Sequence, residues 1–382
     1  MDASELIEII SRGEDSRHQF KTDVTNALGL ATEMVAFANC GGGQIFIGVT
    51  DQNTVSGLSQ EHVARINQLI SNAASEIVSP AINPTTENIA HPDGLVMVVS
   101  VPDGINKPYM DKQGNIWVKN GSDKRRASAR EEIQRMFQTA SLIHADEVPV
   151  SGMRLDDIDL QYFDAFFQNE YGHTVEETDT PLPRLLENMN LAANGVPNLA
   201  GALLFAKRPE FRLPAFLVKA VCYPGNEISE DTYIDSRDII GKLADVFQQT
   251  VGFILANIRH TQSEQTINST GEPEIPRIAL EELVVNALIH RDYFVSAPVR
   301  VFVFANRIEI ISPGRLPNNL TIENIKSGNS NIRNPILASF AAKILPYRGL
   351  GNGILRALKA YPAIDFVEDK TGNFFKVVLV RK

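Results

Sequence analysis

Two cysteines, Cys40 and Cys222, are all that the 382 residues hold. That is too few for a disulfide framework, a structural zinc site or a CxxC redox pair, and it predicts a reducing, cytoplasmic setting. The start, MDASELIEIISRGEDSR, is acidic early and lacks the basic stretch and apolar run of a secretory signal. Nowhere do about 18 apolar residues run uninterrupted, so no membrane-spanning helix and no membrane partner are expected. Positive charge is scarce too: 36 Lys and Arg face 46 Asp and Glu, a net charge of -10. This excludes a protein that coats nucleic acid through bulk charge and requires any such contact to come from a local basic patch. A GxxxxGK[ST] P-loop is missing, which argues against a helicase motor, and no internal repeat is present.

Apolar residues at 43% and charged residues at 21% describe an ordinary globular chain. Its length predicts two or three domains at roughly 150 residues each. Residues 26–38 place Leu28, Ala31, Met34, Val35 and Ala38 at helical spacing before Gly41-Gly42-Gly43. Short β-branched runs at 44–49, 95–101 and 115–119 read as strands, and Ser128 with Glu131 reads as a capping box opening a helix through Phe137. The turn-rich, weakly periodic segment 139–152 predicts a linker. Beyond it, 156–190 reads as helices, 201–206 and 215–223 as buried strands, and 236–258 as a long amphipathic helix. A helix at 279–290, strands at 299–304 and 307–312, a long polar loop, a helix at 353–360 and a strand at 374–380 complete the pattern. The expected divisions are residues 1–140, a mixed connector at 150–270, and 271–382.

Two constellations carry chemistry. Glu282 and Asn286 are four apart, hence on one helix face, among apolar neighbours that make two unpartnered polar side chains costly. A carboxylate beside an amide suits a bound Mg²⁺ and an oriented water; the alternative is a satisfied core Asn. Gly349, Gly351 and Gly353 precede a helix, an arrangement that cradles phosphate or simply makes a flexible turn. Residues 104–135 hold eight Lys and Arg against four acids, with Lys119, Lys124, Arg125 and Arg126 beside Tyr109 and Trp117. Cations there meet phosphates and an aromatic stacks on a base, or the run is merely solvated.

The order Glu282-x-x-x-Asn286, HRDY at 290–293, NRIEIISPGRLP at 306–317, NIRNP at 331–335 and GLGNGI at 349–354 resembles the divergent GHKL-type ATPase module of bacterial RecG-like proteins and transcriptional regulators. The resemblance spans residues 195–382. It implies ATP and Mg²⁺ as cofactors, with Asn286 holding the metal and Glu282 polarising a water. It further implies that the hairpin from Asn306 through Gly314 floors the pocket and that Gly349, Gly351, Asn352 and Gly353 wrap the phosphates. Ser312 stands where the family has an adenine-reading Asp.

Residues 13–58 resemble the Schlafen-type AlbA-like domain through Gly13-Glu14, Gln19-Phe20-Lys21, Val35 to Asn39, Gly41 to Gly43, Ile47 to Val49, Asp51 and Gly57-Leu58, with coverage to residue 138. In Schlafen-type nucleases the positions of Glu14, Gln19 and Asp51 carry acidic residues that gather a divalent cation. Gln19 lacks the charge, so Glu14 and Asp51 are left as the metal ligands of a disfavoured nuclease reading. The winged-helix segment common in this architecture is expected to be absent after Lys382. Together the resemblances imply an α/β fold: an AlbA-like domain, a mixed connector and a GHKL α/β sandwich. They imply an ATP-binding regulator, in transcription or phage defence, that is a homodimer and binds DNA rather than RNA. The other readings are a metal-dependent tRNA endonuclease and a scaffold with vestigial sites.

Overall fold

The opening residues form an amphipathic helix, α1 (Ala3–Arg12), whose Asp2 side chain accepts from Glu5 N at 2.8 Å and whose Leu6 and Ile10 are buried. Strand β1 (His18–Lys21) follows, then α2 (Ala27–Asn39), β2 (Gly43–Ile47), α3 (Gln60–Asn72), β3 (Thr85–His91), β4 (Gly94–Val101), the hairpin β5 (Trp117–Asn120) and β6 (Asp123–Arg126), and α4 (Arg130–Thr139). The structure is a computed structural model describing residues 1–140, 142–228, 231–261, 271–317, 320–349 and 351–381. It falls into two units, Met1–Ile143 and His144–Lys382.

In the first unit the sheet order is β1-β2-β4-β3, with β1 parallel to β2 across α2 and the other pairs antiparallel. Strand alternation splits its side chains between two cores. Phe20, Phe46, Val96 and Val98 meet Leu6 and Ile10 of α1, while Ile45, Ile47, Met97 and Val99 meet α2 and α3. Because α2 also packs against the β5–β6 hairpin, it is buried from Leu30 to Asn39. Asn39 fixes that contact: its amide donates to the carbonyls of Tyr109 and Trp117 at 3.0 and 2.9 Å and accepts from Tyr109 N at 2.8 Å.

The second unit runs α5 (Leu160–Tyr171), α6 (Leu182–Asn188), a two-residue ladder β7 (Ala192–Ala193) and β8 (Val196–Pro197), α7 (Leu199–Phe205), β9 (Val218–Cys222), β10 (Asp235–Ile239) and α8 (Leu243–Ala256). A second short ladder, β11 (His260–Thr261) and β12 (Glu272–Pro273), leads to α9 (Arg277–Ile289), β13 (Val299–Val303), β14 (Arg307–Pro313), α10 (Ile322–Lys326), α11 (Pro335–Ile344), α12 (Gly353–Ala360), β15 (Ile364–Asp369) and β16 (Phe374–Val380). Six strands form one sheet in the order β10-β9-β13-β14-β16-β15. Only the β9–β13 pair is parallel. One face of this sheet, with Val218, Val301, Ile310 and Leu379, shares a core with α8, α9 and α11. The stretch read as a connector therefore supplies β9, β10 and α8 to the same sheet and core as residues 271–382.

Several element expectations change. Residues 201–205 are helical in α7, not a strand, and Ala206 beyond them makes a single bridge to Ile158. A six-residue apolar run reads either way, and Asn198 decides it by accepting from Gly201 N at 2.9 Å as an N-cap. The expected single helix 236–258 is β10 followed by α8, separated at Gly241, where φ is +117°. The long polar loop contains α10 and α11. Helix α4 opens one residue later than the Ser128 box predicts, with Ala129 at the cap and no side-chain capping bond.

Candidate functional site

A cleft opens between α9, the end of β14, residues 314–317 and 329–331, and the start of α12. Leu283, Ala287, Ile310, Phe375 and Val377 give it an apolar floor. Its charged residues are Glu282 and three arginines, Arg315, Arg348 and Arg356. Of the residues assigned to a nucleotide site by sequence, Glu282, Asn286, Gly314, Gly349, Gly351, Asn352 and Gly353 all line this cleft; Leu350, inside the glycine run, lies outside the described residues. Asn306 does not line it. It sits in the turn between β13 and β14, where its backbone carbonyl accepts from Arg381 N at 2.8 Å. The hairpin geometry puts it at the other end of β14, roughly 20 Å of strand away from the cleft.

The centre of the site is the contact of α9 with α12. Glu282 is 4% exposed, and its carboxylate pairs with the Arg356 guanidinium. Burial pushes its pKa up, against the pull of Arg356 and Arg348. Asn286 donates back to Glu282 O at 2.6 Å, which commits one of its two amide hydrogens within the helix. Gly353 lets the two helices touch: a Cβ there would lie 2.5 Å from Glu282 Oε2 and 3.1 Å from Asn286 Nδ2. Mg²⁺ does not fit this donor set. An arginine already neutralises the carboxylate, which leaves the single side-chain oxygen of Asn286. Ser312, buried, donates to Ala287 O at 2.9 Å and thereby ties the end of β14 to α9.

The HRDY and NIRNP segments build the wall of the cleft. Helix α9 ends with carbonyls that need donors, and a segment some forty residues on supplies them. Asn334 donates to Ile289 O at 2.8 Å and Arg291 O at 2.9 Å, while Arg333 donates to His290 O at 3.2 Å and Arg315 O at 2.7 Å. His290 lies 3.2 Å from the Tyr347 hydroxyl, and burial drives its pKa down to about 4, so the ring is neutral at pH 7. Arg291, 2% exposed, lies 4.8 and 4.7 Å from the ring centroids of Phe216 and Tyr293 and serves the fold. Gly314 is held tight: its φ is +93°, and a Cβ would meet Asp292 Cβ at 2.4 Å. Sequence reading missed Arg348 and Arg356 as cleft residues. The available signal was their position flanking the glycine run.

In the first unit, Glu14 and Gln19 do come together. Gln19 Nε2 donates to Glu14 Oε1, which also accepts from Phe20 N at 2.7 Å. The cation beside them is a side chain, Lys119, whose Nζ donates to Gln19 Oε1 at 2.8 Å and to Ser122 O, and lies 4.8 Å from the Phe37 ring centroid. Burial lowers the Lys119 pKa. Asp51 lies in an exposed turn. A divalent cation does not fit this arrangement, because one of the three positions is a neutral amide already bonded on both ends.

The basic hairpin is turned inward more than its sequence suggests. Alternation along β5 and β6 puts Trp117, Lys119, Lys124 and Arg126 on one face, the face that meets α2. Lys124 therefore pairs with buried Glu33 at 2.8 Å and donates to Thr32 Oγ1 at 2.8 Å. Arg125, on the other face, forms an exposed fork with Glu132 at 2.9 and 2.6 Å. Arg126 is exposed and unpaired among the described residues. Tyr109 is buried and offers no open stacking face, while Trp117, half-buried, donates Nε1 to Asp111 at 2.8 Å and has Lys124 Nζ 5.8 Å from its ring centroid.

With this geometry in hand, residues 14–128 match the family Schlafen, AlbA_2, and residues 296–379 match the family described as Putative ATP-dependent DNA helicase recG C-terminal. Among solved structures, the DIP2311 protein from Corynebacterium diphtheriae aligns at 21% identity over 99% of this chain and 80% of its own, with a TM-score of 0.47. The N-terminal domain of a Putative ATP-dependent DNA Helicase RecG-related Protein from Nitrosomonas europaea aligns at 19% identity over 34% of this chain and 95% of its own, with a TM-score of 0.23. No curated protein matches the chain. The chain thus carries, in residues 14–128, a segment similar to the Schlafen-type AlbA_2 domain and, in residues 296–379, one similar to the RecG C-terminal domain, both of nucleotide- or nucleic-acid-associated type.

Proposed function

We propose that the chain is a regulatory protein that binds ATP in the cleft of its second unit and nucleic acid through its first. The observation that carries the nucleotide half is the cleft itself: an apolar floor wide enough for a base, rimmed by Arg315, Arg348 and Arg356, at the start of a helix whose Asn352 cap makes no side-chain hydrogen bond. Uncapped N–H groups and arginines suit the phosphates, and the apolar floor suits the base. A ligand seated there touches the 314–317, 329–331 and 347–353 segments at once, which is how occupancy would bias their arrangement. Thermal-shift and calorimetric titration with ATP tests this. A wild-type response that weakens at least tenfold in Arg348→Gln, a cleft arginine, supports it, and a wild type without response refutes it.

For nucleic acid, the inward pairing of Lys119 and Lys124 leaves Arg126 and Arg130, both exposed, as the candidate phosphate contacts, with Arg125 able to exchange Glu132 for phosphate. In a gel-shift series at increasing salt, Arg126→Glu with Arg130→Glu should weaken binding and lower the salt slope by about 2. Unchanged affinity and slope would remove this face from the proposal.

A further inference from the structure

We infer that the cleft takes its phosphate-bearing ligand without a divalent cation, Arg356 acting where the metal would. This rests on the nucleotide reading and adds to it which cation the ligand meets. Four observations converge. The Glu282 carboxylate, the one acidic side chain lining the cleft, is already paired with Arg356. The Gly353 backbone fills the space beside it, since even a Cβ would come within 2.5 Å of Glu282 Oε2. Mg²⁺ is usually held through one or two carboxylates plus phosphates, and the cleft offers it no carboxylate that is not already paired. Three arginines against one acid leave the cleft cationic before any metal arrives, with His290 neutral at its edge.

The fourth observation points to a missing anion rather than a missing metal. Arg356 Nε is shielded from solvent and has no hydrogen-bond partner. A guanidinium presents five donors in a planar fork; one bonds Glu282, and the Arg356 side chain, 26% exposed where it lines the cleft, keeps others for a phosphate oxygen. Arg356 thus binds Glu282 and ligand together, much as a bridging cation would.

The test is calorimetry of the full chain with ATP in EDTA and, separately, in Mg²⁺. The expected result is binding in EDTA with an affinity within about threefold of that in Mg²⁺. Arg356→Gln should weaken binding in EDTA at least tenfold and, by freeing Glu282, make the remainder respond to Mg²⁺. Binding by wild type only in Mg²⁺ overturns the inference while leaving the nucleotide reading intact. Binding in neither buffer overturns both. The wild-type comparison needs no variant, so it holds even if Arg356→Gln fails to fold.

Discussion

Replacing Asp146 with Asn should change how the stability of the second unit depends on pH. Asp146 is 0% exposed, its Oδ2 accepts from Leu337 N at 2.9 Å at the start of α11, and its Oδ1 has no partner. Burial raises its pKa from 3.8 to about 6, partly offset by the α11 backbone and by His144. The folded protein therefore keeps this proton between pH 3.8 and 6 while the unfolded chain has lost it. Stability from this group is full below the unfolded value and is lost as pH rises through the folded one. At 1.36 kcal/mol per pH unit the loss is about 3 kcal/mol. Asn cannot titrate and still offers an oxygen to Leu337 N. Urea unfolding followed by far-UV circular dichroism, at intervals from pH 4 to pH 7, gives the wild-type minus Asp146→Asn difference. The ionisations of groups that do not interact with Asp146 cancel in that difference. It should move by about 3 kcal/mol against the wild type as pH rises. A difference flat with pH would refute the assignment of a buried, proton-retaining carboxyl.

Two further outcomes follow from close contacts. Lys124→Ala leaves Glu33 buried with both oxygens short of partners, and should cost about 2 kcal/mol, read from the fluorescence of the single tryptophan, Trp117, whose ring centroid is 5.8 Å from Lys124 Nζ. Adding Glu33→Gln should restore most of the loss; no restoration would mean the pair is not the cause. Gly314→Ala forces a side chain into a positive-φ position 2.4 Å from Asp292 Cβ and 2.8 Å from Arg333 Nη1. It should cost on the order of 3 kcal/mol, a melting temperature lower by roughly 6–12 °C, and a melt unchanged from wild type would contradict that packing.

Periodicity and punctuation made α2, β2, β4, α9, β13, β14, α12 and β16 legible, because each carries its own pattern and its own stop signal. The β10–α8 break was not, since Asp235 to Ile239 has strand character only as the edge partner of β9, where Lys219 pairs with Asp238 at 2.9 Å. Nor was α7, whose apolar run fits either element until Asn198 caps it. Strand β15 shows the same dependence: its alternation is short, and its identity comes from antiparallel pairing with β16.

The chain itself determined the spacing of Glu282 and Asn286, the glycines at 349, 351 and 353, and the neutral Gln19 between two acids, all of which are properties of residue order. Tertiary structure alone decided what those groups face. It set Arg356 on Glu282, and it closed the end of α9 with Asn334 and Arg333 from a distant segment. It also turned Lys119 and Lys124 inward onto α2. Local pattern sets which face of a helix or strand a side chain occupies; only packing sets whether that face meets water, an ion or an opposite charge.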